Sequence, residues 1–222
     1  MELLKRKQKV VVIEAEPGIS HSSYYPGIDN RRVRVSKKYW NLVSRIGVNI
    51  IEEDEQGYWI DPLEYLILTA SEIYRNGGTI LTDSTIEPIY RIIEDRIIVI
   101  GASVKSLENE AGPDKTYILS KGIIDASPNA YIVNNLIDRL KTSILIQGAG
   151  PQIPGSDDVV HKTTWVFPGI IVAGIAAIHT NGAYIPFPDI GPIIASGVRA
   201  AELFIEGYPE NPVQGINFPS VI

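Results

Sequence analysis

The sequence predicts an α/β fold with a mixed sheet, and three observations predict it. Short β-branched runs, Lys9 to Glu14 (KVVVIE) and Gly169 to Ala173 (GIIVA), have the length and composition of buried strands. Stretches with apolar residues at helical spacing, such as Pro62 to Tyr74 and Asn129 to Leu140, lie between strand-like runs, so the two kinds alternate. The stretch from Trp165 to Glu206 repeats the theme most clearly: a strand, a Gly- and Pro-rich loop from Asn181 to Pro188, then a helix. In that helix Ile190, Ile193, Ile194, Val198, Ala201, Leu203 and Phe204 recur at roughly helical spacing. Asp189 stands at its N-cap, and Gly191, Ala195, Ser196, Gly197 and Ala200 keep its early turns small. A helix that begins with small residues lets a backbone or a phosphate approach its positive end.

In chain order, Met1 to Gln8 reads as the last two turns of a helix, basic near its end. The strand KVVVIE then closes on Glu14, with Ala15 beside it. In a dinucleotide-binding βαβ unit the second strand ends in an acid that accepts hydrogen bonds from a ribose diol, and Glu14 fits that place. A solvated Glu at a strand end is the plainer alternative. The first strand and its G-x-G-x-x-G turn should lie roughly 25 residues upstream of such an acid. Only 13 residues precede Glu14. The expectation is an FAD/NAD(P)-binding (Rossmann-like, three-layer) fold whose first βα element is incomplete, with unpaired strand edge and apolar surface where that element would pack.

Residues 15 to 35 read as a long loop. Ser36 to Ile46 is a short helix with Ser36 as N-cap. Gly47 to Glu53 and Tyr58 to Ile60 are strands, and Asp61-Pro62 opens a helix that Asn76-Gly77-Gly78 closes. Thr79 to Asp83, Thr85 to Ile93 and Arg96 to Val104 are strands, the last two joined at Glu94-Asp95 as a hairpin. Lys105 to Lys115 is a polar loop, and Tyr117 to Ile124 is one strand ending at Asp125. The division is a single dinucleotide-binding-type domain, 1–222, with an inserted antiparallel region around 85–124.

The totals narrow the function. A chain of 222 residues, 45% hydrophobic, can bury a core. The formal net charge of −6 argues against nucleic acid as the main partner. No apolar run has membrane-spanning length and MELLKRKQKVVVIE lacks a signal-peptide layout, so the expectation is a cytoplasmic protein with no membrane partner. Without cysteine there is no disulfide, thiolate metal site or cysteine nucleophile. Ser143 to Gln147 followed by Gly148-Ala149-Gly150 imitates a phosphate-binding turn, but Pro151 and Pro154 forbid the helix that must come next. His21, His161 and His179 show no metal-ligand spacing. Asp114, after Gly112-Pro113, reads as a turn residue, with a metal ligand as the sharper alternative. No G-x-S-x-G elbow or Walker motif occurs, and no catalytic residue is identified from pattern.

Taken together the segments resemble the thiazole synthase family of thiamine biosynthesis, especially its archaeal members. The resemblance runs through KVVVIEAEPG, RIGVNIIEEDEQGYWI, the helix ending in NGGTI, and TYILSKGIIDAS. It is most specific in WVFPGIIVAGIAA and GPIIASGVRAAE. It implies a flavoprotein-like dinucleotide-binding fold, a homo-oligomer or a hetero-oligomer with a full-length homologue, and conversion of NAD, glycine and a sulfur source into an adenylated thiazole with Fe(II). By the same resemblance Glu14 holds the adenosine ribose and Ile86 lies against the adenine. Gly174 and the small residues around Gly191, Ser196 and Gly197 line the dinucleotide, NAD or FAD. The matching is not complete. Where the family has a histidine in H-x-D-P this chain has Gly112-Pro113-Asp114-Lys115, keeping only the Asp. The histidine of D-A-T-G-H is Asn129, and R-M-G-P falls on Ile185-Pro186-Phe187-Pro188. Three readings stay open: a thiazole-synthase-like enzyme, an FAD- or NAD-dependent oxidoreductase of the same fold, and a non-catalytic paralogue that completes an oligomer.

Overall fold

The computed structural model describes residues 1–15, 32–93, 96–106, 115–140, 157–182 and 189–209. It divides into two compact units, Met1–Thr85 with Ser106–Gly112 and Pro186–Ala195, and Ile86–Lys105 with Pro113–Ile185 and Ser196–Ile222.

In the first unit a single helical turn, α1 (Glu2–Lys5), precedes β1 (Val11–Ile13). The two turns expected over Met1 to Gln8 are thus one. β1 pairs in parallel with β5 (Thr79–Leu81), Val12 opposite Ile80. The helix that leads into β5 is α3 (Pro62–Arg75). It starts as its residues dictate, with the Asp61 side chain accepting the N–H groups of Leu63 and Glu64 and Pro at the first position. Gly77, at φ 79°, turns the chain out of it. Buried Ile73 and Leu4 close over Gly78, where a Cβ would come 2.6 Å from Ile73.

A three-stranded antiparallel sheet completes the unit: β2 (Val33–Ser36), β4 (Gly57–Ile60) and β3 (Ile50–Glu53), with β4 in the middle. Here the sequence expectation is corrected. Val33 to Val35 are strand, not the end of a long loop, because Val33 and Val35 alternate inward, opposite Ile60 and Tyr58 of β4, with Arg34 on the other face. Ser36 closes that strand, and its side chain makes no cap bond. Residues 37–46 are a 3-10 turn, the short helix α2 (Trp40–Val43) and a second 3-10 turn ending at Gly47.

The second unit holds most of β6 (Ser84–Ile93) and β7 (Arg96–Ser106), which form a sheet with β8 (Thr116–Leu119) in the order β6-β7-β8. The strand expected over Tyr117 to Ile124 is two strands in two sheets. β8 lies antiparallel on β7 with Tyr117 and Leu119 exposed, and β9 (Ile123–Asp125) runs parallel to β11 (Ile170–Val172). The break falls at Gly122, where a Cβ would meet the Phe204 ring at 3.0 Å and the Gly169 carbonyl at 3.2 Å. β10 (Thr164–Phe167) pairs antiparallel with β11, giving a mixed sheet in the order β10-β11-β9.

β11 is buried on both faces, which is why its sequence is apolar without alternation. Ile170 and Val172 pack with Val99, Val133, Leu136, Phe167 and Ala176. Ile171 and Ala173 pack with Trp165 and Ala200, the latter on the long helix α7 (Ile190–Glu206). The first core is closed by α4 (Tyr131–Leu140) and α6 (Ile175–Thr180). α6 comes directly after the strand and was not anticipated from sequence. A short helix, α5 (Asp158–His161), sets Val159 against Ile178 of α6. The glycine turn at 148–150, the hairpin turn at Glu94-Asp95, Asp114 and His21 lie outside the described residues.

Candidate functional site

In open α/β sheets, ligands sit beyond the carboxyl ends of parallel strands. Among the described residues, the first unit has one such end, where β1 and β5 finish side by side. Glu14 comes directly after β1. Its N–H donates to the Leu81 carbonyl at 2.8 Å, and its own carbonyl accepts the Ser84 N–H at 3.0 Å. The backbone of Glu14 is thereby locked to both ends of the β5 turn, and its half-buried side chain stands at the tip of the pair. Ala15 beside it is exposed. Asp83 joins this tip from β5, with a left-handed backbone at φ 49°. The sequence reading placed Asp83 at the end of the strand Thr79 to Asp83, whereas β5 ends at Leu81 and Thr82-Asp83-Ser84 is a turn.

The start of α7 belongs to the same unit. Asp189 caps it by accepting the Gly191 N–H at 2.8 Å, and its second oxygen accepts the Ser36 N–H at 2.8 Å. One side chain thus starts the helix and ties it to the end of β2. Gly191 is small for a reason other than ligand approach: a Cβ there would lie 2.6 Å from Tyr39 Cβ and 2.9 Å from its ring. Tyr39 is itself buried.

In the second unit, Gly174 ends the approach of β11 with φ 60° and ψ −138°, a backbone that suits only glycine. Its N–H donates to the hydroxyl of Ser196 at 2.7 Å, so the structure brings these two predicted residues together. Ser196 is fully buried and anchors the strand-to-helix turn to α7. Gly197, one residue on, is exposed and has nothing within 4 Å of a built Cβ. Ile86, on β6, packs against the core of this unit.

The parallel pair β9 and β11 also ends in an acid, and its role is structural. Asp125 is buried, and its Oδ1 accepts the Ser127 N–H (3.0 Å) and hydroxyl (2.7 Å). Its Oδ2 accepts the N–H groups of Ile132 and Val133 at 2.9 and 3.2 Å, satisfying the first turn of α4. Asn129 is exposed, and its carbonyl accepts the Asn134 side-chain amide. Asp114, the candidate metal ligand of the sequence, lies outside the described residues. No group of three or more His, Asp or Glu side chains gathers among them, and an amide at 129 is a poor Fe(II) ligand beside imidazole. Among the described residues no helix is long and apolar enough to cross a membrane.

No family model matches the chain. Curated proteins do. It is 27% identical over 214 residues to the thiamine thiazole synthase of Pyrococcus horikoshii, covering 90% of this chain and 80% of that protein. The thiamine thiazole synthase of Pyrococcus furiosus is likewise 27% identical over 205 residues, and that of Fervidobacterium nodosum 24% over 224 residues. The fold is similar to the crystal structure of Thermovibrio ammonificans THI4, with a TM-score of 0.79 at 24% identity, over 90% of this chain and 81% of that one. Over about nine-tenths of its length the chain is thus similar to curated proteins named thiamine thiazole synthase, archaeal ones among them.

Proposed function

We propose that this chain is a thiazole-synthase-like protein that binds an adenine dinucleotide, NAD-derived or FAD, in a Rossmann-like FAD/NAD-binding fold. The observation that carries the reading is the position of Glu14. It ends a strand held in a parallel pair, and its backbone is fixed by Leu81 and Ser84. A carboxylate so placed accepts the two hydroxyl hydrogens of an adenosine ribose, a charge-assisted contact. Relatives named thiamine thiazole synthase over nine-tenths of the chain support a role in making the thiamine thiazole. Such a role would use NAD as the source of the adenylated product, with Glu14 holding its adenosine end.

The test is the nucleotide carried by the full chain. Purified protein is heated and the released material identified by mass spectrometry. An adenylated thiazole or an NAD-derived adenylate is the expected result. A flavin absorption band with released FAD would move the chain to the oxidoreductase reading. Asn129 in place of the family's histidine favours a second reading, a non-catalytic paralogue in a homo-oligomer or a hetero-oligomer with a full-length homologue. No released nucleotide, no NAD binding by calorimetry and co-purification of that homologue would establish it.

A further inference from the structure

A surface helix usually buries its apolar side and turns polar residues outward. The helix α3 does the first and not the second. Pro62, Ala70 and Ile73 are buried. Its exposed residues are Leu63, Ile67, Tyr74 and Arg75, the first three at 50%, 59% and 56%. Leu63, Ile67, Ala70 and Tyr74 follow one another in steps of four, three and four, which sets them in a row along one face, the spacing of a helix-pairing seam. Exposed apolar residues scattered singly are ordinary, whereas a contiguous row marks an interaction surface.

Charge says what covers it. Asp61 and Glu64 stand at the start of the seam, and Glu64 is fixed there by the Asn49 N–H, which donates to it at 3.1 Å. Arg75 stands at the other end. Leu4 of α1 packs over Gly78 just beyond it, which brings exposed Arg6 and Lys7 to the same end. A face that is acidic at one end, apolar along its middle and basic at the other is complementary to itself when turned end for end. We propose that this face of α3 is the contact with a second copy of the chain, the two helices lying antiparallel about a two-fold axis. Ile67 of one copy then lies over the small Ala70 of the other, Leu63 meets Tyr74, and Arg75 reaches the acidic start. The contact does not depend on the nucleotide reading above.

Sedimentation equilibrium of the full chain, without nucleotide, tests it. Wild type should be a dimer or a larger assembly built of dimers. Ile67→Glu should raise the dimer dissociation constant at least about a hundredfold, the scale of burying a charge without a partner, while the circular dichroism of the chain stays as it was. Arg75→Glu should weaken the dimer about tenfold, and Glu64→Lys added to it should restore the affinity. The chain has no cysteine, so introduced ones report the register. Leu63→Cys mixed with Tyr74→Cys should form an intermolecular disulfide on mild oxidation, and neither variant should do so alone. A wild-type monomer would leave the seam to a different protein and overturns the proposal. An assembly that Ile67→Glu leaves intact, a mixture that forms no disulfide, or disulfides formed by each variant alone overturn it as well.

Discussion

Glu14 and Asp125 occupy the same kind of place in the sequence. Each closes a short β-branched strand, VVIE and IID, and each of those strands pairs in parallel with another. Their downstream neighbours differ. After Asp125 the chain reaches α4 within six residues, and the carboxylate turns back to collect two helix N–H groups and both donors of Ser127. Both of its oxygens accept twice, so nothing is left for a ligand. At Glu14 the Leu81 and Ser84 bonds go to the backbone, and no helix begins between Leu81 and Ser84. An acid at a strand end becomes a helix cap when a helix start lies within its reach.

Substitutions can break or sharpen that contrast. Asp125→Ala should have the largest effect, a loss of about 3 kcal/mol or more of folding stability in urea denaturation, because four donors around a buried site lose a charged acceptor. A loss below about 1 kcal/mol would mean that water replaces the carboxylate and that the cap is dispensable. Next comes Gly191→Ala, expected to cost about 1–3 kcal/mol by overpacking, since buried Tyr39 cannot swing aside. The same change at Gly197, with open space around it, should stabilise the helix by about 0.5–1 kcal/mol, so the pair separates packing from propensity within one helix. Glu14→Ala should weaken NAD binding by about 1–3 kcal/mol. Equal NAD affinity in calorimetry would take Glu14 out of the site.

The smallest effect concerns a surface acid. The Lys115 ammonium and then the Arg139 guanidinium, each 2.7 Å away, hold the Glu87 carboxyl below the usual carboxylate range. A group lowered on folding contributes stability that is present above its unfolded pKa and is lost as pH falls through the lowered value. Glu87→Gln should therefore flatten the acid side of the stability–pH curve slightly, and leave the neutral side close to wild type. An acid limb as steep as wild type's in denaturant titrations would show that the pair contributes nothing.

Much of the framework was legible in the sequence because it is written locally. Asp61-Pro62, Asp189 and Asn76-Gly77-Gly78 start and stop helices through contacts within three or four residues. The apolar run at 170–172 announced a strand covered on both faces. Other features were not legible. Val33 to Val35 lack the length to declare themselves as a strand until Ile60 and Tyr58 pair with them. The helix α6 is six residues long and continues an apolar strand, so no change of period marks its start.

By itself the sequence determined the alternation of strands and helices, their caps, and the acidic and small residues offered to a ligand, since each depends on neighbours a few positions away. Tertiary structure alone decided how those residues are used. It split 117–125 between two sheets, set Tyr39 against Gly191, gave Ser196 to the Gly174 turn, and made Asp125 a cap while leaving Glu14 and Asp83 at a strand tip. The physical reason is that hydrogen-bond capacity is finite, and which donors reach an acceptor first depends on chain segments far away in the sequence.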